Sequence, residues 1–163
     1  MKNHKIGFGG GCHWCTEAVF QSLKGVDSVE QGWIASEAPF DTFSEAVIVH
    51  FNTDITLETL IEVHLLTHSS TSRHSMRDKY RSAIYYFDEA DKTVTLQKIY
   101  SMESENNIKY VTQVIPFKSF KENVESQLNY YLKHKDAPFC QNYISPKLTA
   151  LRQEFGNQIK EDF

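Results

Sequence analysis

The chain has 163 residues, 17 basic and 21 acidic, and a formal charge of −4. That length suits one domain with a real core, and the acidic balance argues against general nucleic-acid binding, which needs a basic surface. No apolar run reaches membrane-spanning length. The opening "MKNHKIGFGG" lacks the apolar core of a signal peptide, so a cytoplasmic protein is expected, with no membrane partner. Three cysteines are an odd count and make a disulfide scaffold a poor fit; in a reducing compartment they serve packing or chemistry.

The elements follow in chain order. "HKIGF", 4–8, reads as a short strand that runs into Gly9, Gly10 and Gly11. Residues 13–24 read as a helix stopped by Gly25 as C-cap. "VDSVEQGWIA", 26–35, and "EAVIVHF", 45–51, read as strands, the second rich in β-branched residues. "TLETLIEVHLLTH", 56–68, has helical periodicity, and "RSAIYYF", 81–87, reads as a strand. A surface helix is expected from Asp88 to near Glu105, then a strand over 109–117. "SFKENVESQLNYYLKHK", 119–135, opens with Ser119 and Glu122 at capping-box spacing and reads as a helix. The last helix is expected to start with Ser145 as N-cap and Pro146 at its first position.

No repeat, low-complexity segment or linker divides the chain. The expectation is a single domain over 1–163, with a C-terminal tail and helix from near residue 136. The order β-α-β-β-α-β of the first six elements matches a split β-α-β unit. The fold class is therefore α+β: a two-layer sandwich with a ferredoxin-like mixed sheet and packed helices.

The glycines deliver Cys12 to a helix N-terminus, where the positive end of the helix favours a thiolate. The same placement also suits a small buried residue in a tight turn, and both readings stay open on position alone. Cys12-His13-Trp14-Cys15 is a C-x-x-C, a spacing used in thiol–disulfide exchange or as half a zinc site; no second C-x-x-C exists to complete four cysteines. His64 and His68 stand one helical turn apart without the glutamate of H-E-x-x-H, and read as polar residues rather than metal ligands. The glycine run fits neither phosphate-loop pattern. Glu45 opens an apolar strand; such a carboxylate is usually solvated, but one buried among aromatics can act as a proton donor near neutrality. Tyr80 precedes another strand, as a rim residue or as a hydrogen-bond donor into a pocket.

Taken together, "GGGCHWCTEAVFQSLKGV", "SEAVIVHFN", "LIEVHLLTHSSTS", "YRSAIYY" and "FCQNYISPKLTALRQEF" resemble, in matching order, the motifs of the A-type peptide methionine sulfoxide reductases. The similarity runs from Lys5 to Phe155; the first and fourth motifs are specific and the others supportive. The resemblance implies a protein-repair oxidoreductase of oxidative stress that reduces the S epimer of methionine sulfoxide, free or in proteins. Cys12 would be the nucleophile and become a sulfenic acid. His13 and Trp14 would wall a pocket for the substrate methyl, Glu45 would protonate the sulfoxide oxygen, and Tyr80 would hydrogen-bond to it. Cys140 would resolve the sulfenic acid from a mobile tail, with Cys15 as the alternative. Thioredoxin or a similar dithiol would restore the enzyme. No metal or organic cofactor is implied, and a monomer is expected.

The chain departs from the family at several places. His13 stands where the family has phenylalanine. "GWIASEAPFDTFSEA" lacks the family's glycine-rich loop and its tyrosine; Phe40 or Phe43 fills that volume without a hydroxyl. Ser75 stands where an aspartate is usual, and Asp78 is the candidate replacement in substrate binding. These changes trim the site, consistent with a weakened or narrowed enzyme. Two other functions compete: a general C-x-x-C disulfide oxidoreductase, and a module that binds methionine or its sulfoxide without turnover. Glu45 separates the first from the reductase, since disulfide exchange needs no proton donor to an oxygen.

Overall fold

The glycine-ended strand β1 (His4–Gly9) lies near the centre of a six-stranded mixed sheet. The computed structural model describes residues 4–68, 70 and 79–163; Ser75 and Asp78 lie outside the described residues. After β1 come α1 (His13–Gln21), β2 (Val26–Ala35), β3 (Ser44–Phe51) and α2 (Leu57–Leu66). Then follow β4 (Ala83–Tyr86), α3 (Glu89–Asn106), β5 (Gln113–Pro116), β6 (Ser119–Glu122), α4 (Tyr130–Lys133) and α5 (Ser145–Phe155). The sheet order is β5-β4-β1-β3-β2-β6; β1 pairs antiparallel with β3 and β4, and only β5 runs parallel to its neighbour β4. The architecture is thus α+β, with a mixed sheet and helices. No described helix is long and apolar enough to cross a membrane.

The apolar run of β3 is explained by burial on both faces. Val47, Val49 and Phe51 join Ile6 and Phe8 in a core that α1, α2, α3 and α5 complete with Ala18, Val19, Leu60, Ile61, Met102 and Leu148. Ala46 and Ile48 point the other way, against Ile34, Ala83, Tyr85 and Ile115, with Phe40, Phe117 and Phe120 packed over them. Phe8 of β1 stacks on Phe20 of α1 at 4.6 Å between ring centroids, and both are fully buried. This contact fixes the helix directly behind the strand that precedes it.

Local chemistry sets the helix ends. The Thr56 hydroxyl accepts from the Thr59 N–H at the start of α2, and Asp88 accepts from Asp91 N–H at the start of α3. α1 ends earlier than its periodicity predicts, at Gln21. Gly25, at φ +90°, belongs to the turn that leads into β2 rather than to the helix cap.

Two sequence expectations fail in the second half. Residues 119–135 are not one helix: Ser119–Glu122 is β6, which pairs with the free edge of β2 (Ala35 with Ser119, Gly32 with Glu122), and only Tyr130–Lys133 is α-helical. The spacing of Ser119 and Glu122 mimics a capping box, but an unpaired strand edge offers the backbone more hydrogen bonds than a fresh helix nucleus does. Nor does Ser145 cap a new helix. The segment Cys140–Ile144 is already a π-helical turn that continues into α5, with Ile144 in helical conformation.

Truncation of Phe20 to alanine should destabilise the protein by about 3–5 kcal/mol, the range for emptying a buried aromatic site. Urea unfolding of Phe20→Ala against the wild type measures this; a midpoint shift worth under about 1 kcal/mol would contradict the stacked core contact.

Candidate active site

The register of the sheet assembles the site. Gly9, the last residue of β1, lies opposite Ala46, so the turn into α1 sits beside Glu45 at the start of β3. Trp33 is the cross-strand partner of Glu45 on β2. Gly10 has no room for a side chain: a Cβ there would overlap the His68 imidazole. His64 of α2 and His68, just past its C-cap Thr67, hold this turn in place. His64 Nε2 donates to the Gly9 carbonyl at 2.7 Å, and His68 Nε2 lies 2.8 Å from the Ser82 hydroxyl. His64 Nε2 and both ring nitrogens of His68 make structural hydrogen bonds, which explains the helical spacing without a metal.

Cys12 is the N-cap residue of α1 and is half-buried. Its thiol is lowered from the ordinary value to about 4. The largest cause is a hydrogen bond from the Cys15 side chain; the His13 side chain and the backbone N–H groups of Trp14 and Cys15 add to it, while burial opposes. Cys12 at the N-cap and Cys15 at the third helical position stand on the same face of the first turn, so the two sulfurs meet. Cys15 pays the opposite way: its thiol is pushed far up, because it gives its hydrogen to Cys12 and is itself buried. The contact between the two sulfurs thus favours the negative charge on Cys12 and the proton on Cys15.

Glu45 is 5% exposed. Its Oε1 accepts the His13 backbone N–H at 3.2 Å and lies 3.0 Å from His13 Nδ1, while Oε2 is 3.6 Å from Lys79 Nζ. The segment 79–81 is clamped to β3: Glu45 N–H and Ser44 Oγ both donate to the Lys79 carbonyl, and Arg81 N–H donates to Ser44 Oγ. This clamp brings Tyr80 alongside. Its ring lies under Lys79 Nζ at 5.1 Å, and the pull of the Tyr80 oxygen is the first cause that raises the Lys79 ammonium.

Trp14 is fixed by aromatic packing, in parallel stack on Tyr130 at 3.9 Å and edge-on to Phe139 at 5.3 Å. His13 meets the Trp33 ring edge-on at 5.2 Å. Sequence reasoning missed the anchor behind this wall, Glu17. Its buried carboxylate accepts the backbone N–H groups of Asn129 and Tyr130 at 2.9 and 3.1 Å, and so pins α4 against α1. An acidic residue in an otherwise apolar helix face was the available signal.

The structure therefore brings Cys12, His13, Trp14, Cys15, Glu45 and Tyr80 to one end of the sheet. Cys140 is fully buried, a member of the core whose thiol burial raises, and it lies near enough to Cys15 to push that thiol up as well. The expected untied tail is helical at that point. Asp78 lies outside the described residues.

Cys12, His13 and Glu45 have donor atoms all within 4.8 Å of one another, a set with the composition of a metal site. The surroundings of the imidazole argue against that use. A ligating histidine donates its other ring N–H to an acceptor, whereas His13 Nε2 faces the amide nitrogen of Asn123 at 3.3 Å. His4, Asp88 and Asp91 form a second such group at the N-terminus of α3, where the helix end disfavours a cation.

A thiolate at a helix N-terminus, a buried carboxyl beside it and an aromatic wall define a thiol-based oxidoreductase site on an α+β sheet. The sequence profile of the peptide methionine sulfoxide reductases matches residues 4–159, and the chain belongs to that family. It is 34% identical to the peptide methionine sulfoxide reductase MsrA of Sulfolobus acidocaldarius, over 92% of this chain and 94% of that protein. It is 33% identical to the MsrA of Psychrobacter sp., over 90% and 93%. Among solved structures, reduced Mxr1 from Saccharomyces cerevisiae superimposes with a TM-score of 0.74 at 22% identity, over 87% of this chain and 91% of that one. Mxr1 in complex with Trx2 gives 0.62 at 22% identity, over 77% and 84%.

The charge on Cys12 is open to a direct check. Alkylation of Cys12 by iodoacetamide should stay near its full rate from pH 9 down to pH 5 and fall off only toward about 4, because the thiolate is the reactive form. A rate that falls tenfold per pH unit below 8 would mean an ordinary thiol.

Proposed function

We propose that this protein reduces methionine S-sulfoxide with Cys12 as nucleophile and Glu45 as acid. The observation that carries the reading is the Cys12 thiolate set one residue from the donor that holds the Glu45 carboxyl. The thiolate attacks the sulfoxide sulfur and the sulfoxide oxygen takes the proton of the Glu45 carboxyl. The hydroxyl then passes from the substrate sulfur to the Cys12 sulfur: the substrate S–O bond and the S–S bond made by the attack break, a Cys12 S–O bond forms, methionine leaves as the thioether and Cys12 is left as a sulfenic acid. Tyr80 donates a hydrogen bond to the sulfoxide oxygen; His13, Trp14 and Trp33 wall the substrate methyl. Asp78 stays the candidate replacement in substrate binding.

A second thiol then attacks the sulfenic sulfur, releasing water and leaving a disulfide. Cys15 is the thiol in contact with Cys12, whereas Cys140 is fully buried on the π-helical turn packed against α1, near Cys15 but with no contact to Cys12 among those the structure gives. This favours a Cys12–Cys15 bridge over the Cys12–Cys140 bridge that the resemblance implies. A dithiol of the thioredoxin class reduces it, as the Mxr1–Trx2 complex of the relative suggests. The rest of the reading is a monomeric, cytoplasmic, single-domain protein whose helices cover one face of a split β-α-β sheet as a two-layer sandwich, with no resident cofactor.

Cys12→Ser should abolish methionine formation from the S epimer with dithiothreitol present, and Glu45→Gln should lower the reductive step by about 10²–10⁴-fold, the worth of a positioned general acid. Full activity in Cys12→Ser, or a Glu45→Gln enzyme within twofold of the wild type, would overturn the assigned roles. The bridge is read separately. After one equivalent of S-sulfoxide and blocking of free thiols, peptide mapping should find Cys12 joined to Cys15 and Cys140 alkylated; a Cys12–Cys140 bridge in most of the material would reverse the choice.

A further inference from the structure

His13 replaces the phenylalanine expected after the nucleophile, and its imidazole is held by groups that no motif contains. Asn123, just beyond β6, has its amide orientation fixed: Oδ1 accepts the Val124 N–H at 2.8 Å, so the nitrogen faces inward. That nitrogen donates to Gln31 Oε1 at 2.8 Å and lies 3.3 Å from His13 Nε2. Gln31 is fully buried, and it is oriented in turn by donating its own nitrogen to the Gln127 carbonyl at 3.0 Å. The chain of donors runs one way, and it ends by presenting a hydrogen to Nε2.

A ring nitrogen that accepts has a free lone pair, so in the neutral imidazole the hydrogen must sit on Nδ1. His13 Nδ1 is buried, with Glu45 Oε1 at 3.0 Å and the Cys12 sulfur as the two acceptors it meets. The approach to Oε1 is looser than an aligned hydrogen bond, a common state of a catalytic contact before substrate arrives. The same Oε1 also takes the His13 backbone N–H. With Oε1 taken by these two hydrogens, Oε2, 3.6 Å from Lys79 Nζ, is the oxygen left to meet the substrate.

We propose that Asn123, backed by Gln31, is a positioning residue of the reductase site: it fixes His13 as the Nδ1–H tautomer, so that the ring donates to the Glu45 carboxyl. When the carboxyl gives its proton to the sulfoxide oxygen, negative charge develops on it, and both N–H groups already point at Oε1. The site then needs no reorganisation at the moment of transfer. A phenylalanine at this position supplies only the backbone donor. The inference rests on the reductase reading for its consequence, but the tautomer itself does not.

The test uses protein labelled with ¹⁵N-histidine, with the His13 resonances identified by their loss in His13→Phe. In the wild type, Nδ1 should give a protonated-type signal and Nε2 an unprotonated one. Asn123→Asp replaces the donor by an acceptor of the same shape and should move the hydrogen to Nε2. In the same variant kcat should fall by about 10–100-fold, the usual effect of a group that orients a reacting side chain, with KM within about twofold. An Nε2–H tautomer in the wild type would overturn the proposal whether or not the variant folds. So would an Asn123→Asp enzyme that loses kcat with the tautomer unchanged, since that marks a merely structural role. If the wild type reduces no sulfoxide, the reductase reading fails while the ¹⁵N spectrum still decides the tautomer.

Discussion

The hydrogen bond from the His13 backbone N–H to Glu45 ties the N-terminus of α1 to the start of β3, and the site exists because of it. Neither end could be placed there alone. The pairing of Gly9 with Ala46 sets the register, and the Phe8–Phe20 stack sets the height of the helix. The buried carboxyl takes a donor that a helix N-terminus leaves free. A buried carboxyl without such a donor would cost several kcal/mol on the order expected for an unsatisfied polar group.

Around this tie the site distributes its protons unequally between like groups. Cys12 and Cys15 have the same side chain, three residues apart, yet one is held as the thiolate and the other as the thiol. The helix end and the donated S–H decide which. The proposed arrangement of the carboxyl follows the same logic: donors gather on Oε1, and the other oxygen faces the exposed Lys79. The Cys12 sulfur is thus met by hydrogen donors before any substrate enters, and in the proposed step the donors on Glu45 favour the charge its carboxyl takes on.

Much of the first half of the chain was legible in the sequence, because its signals are local. Glycines before a cysteine, β-branched runs and helical apolar spacing each report on neighbours within a few residues, and β1, β2, β3 and α2 lie close to where they were expected. Ser119 and Glu122 misled because the choice between helix and strand there is made by the open edge of β2, nearly ninety positions away in sequence. The segment around Cys140 differs from expectation for a related reason: Pro138 suggested an untied tail, but the packing of Ile144 and Leu148 draws the chain into a helix before Ser145. Glu45 and Tyr80 could be named from motif order alone. Asn123, Gln31 and Glu17 could not, since their roles depend on which amide or carboxylate meets which backbone group after folding.

The central claim is that Cys12 removes the sulfoxide oxygen and a neighbouring thiol in the same chain takes it off Cys12. A single-turnover experiment without reductant tests it most directly: reduced protein is mixed with excess methionine S-sulfoxide, and methionine and free thiols are counted together. The account predicts one methionine released per chain and two thiols lost, leaving one of the three cysteines free. Methionine release with all three thiols intact, or thiol loss with no methionine, would contradict it.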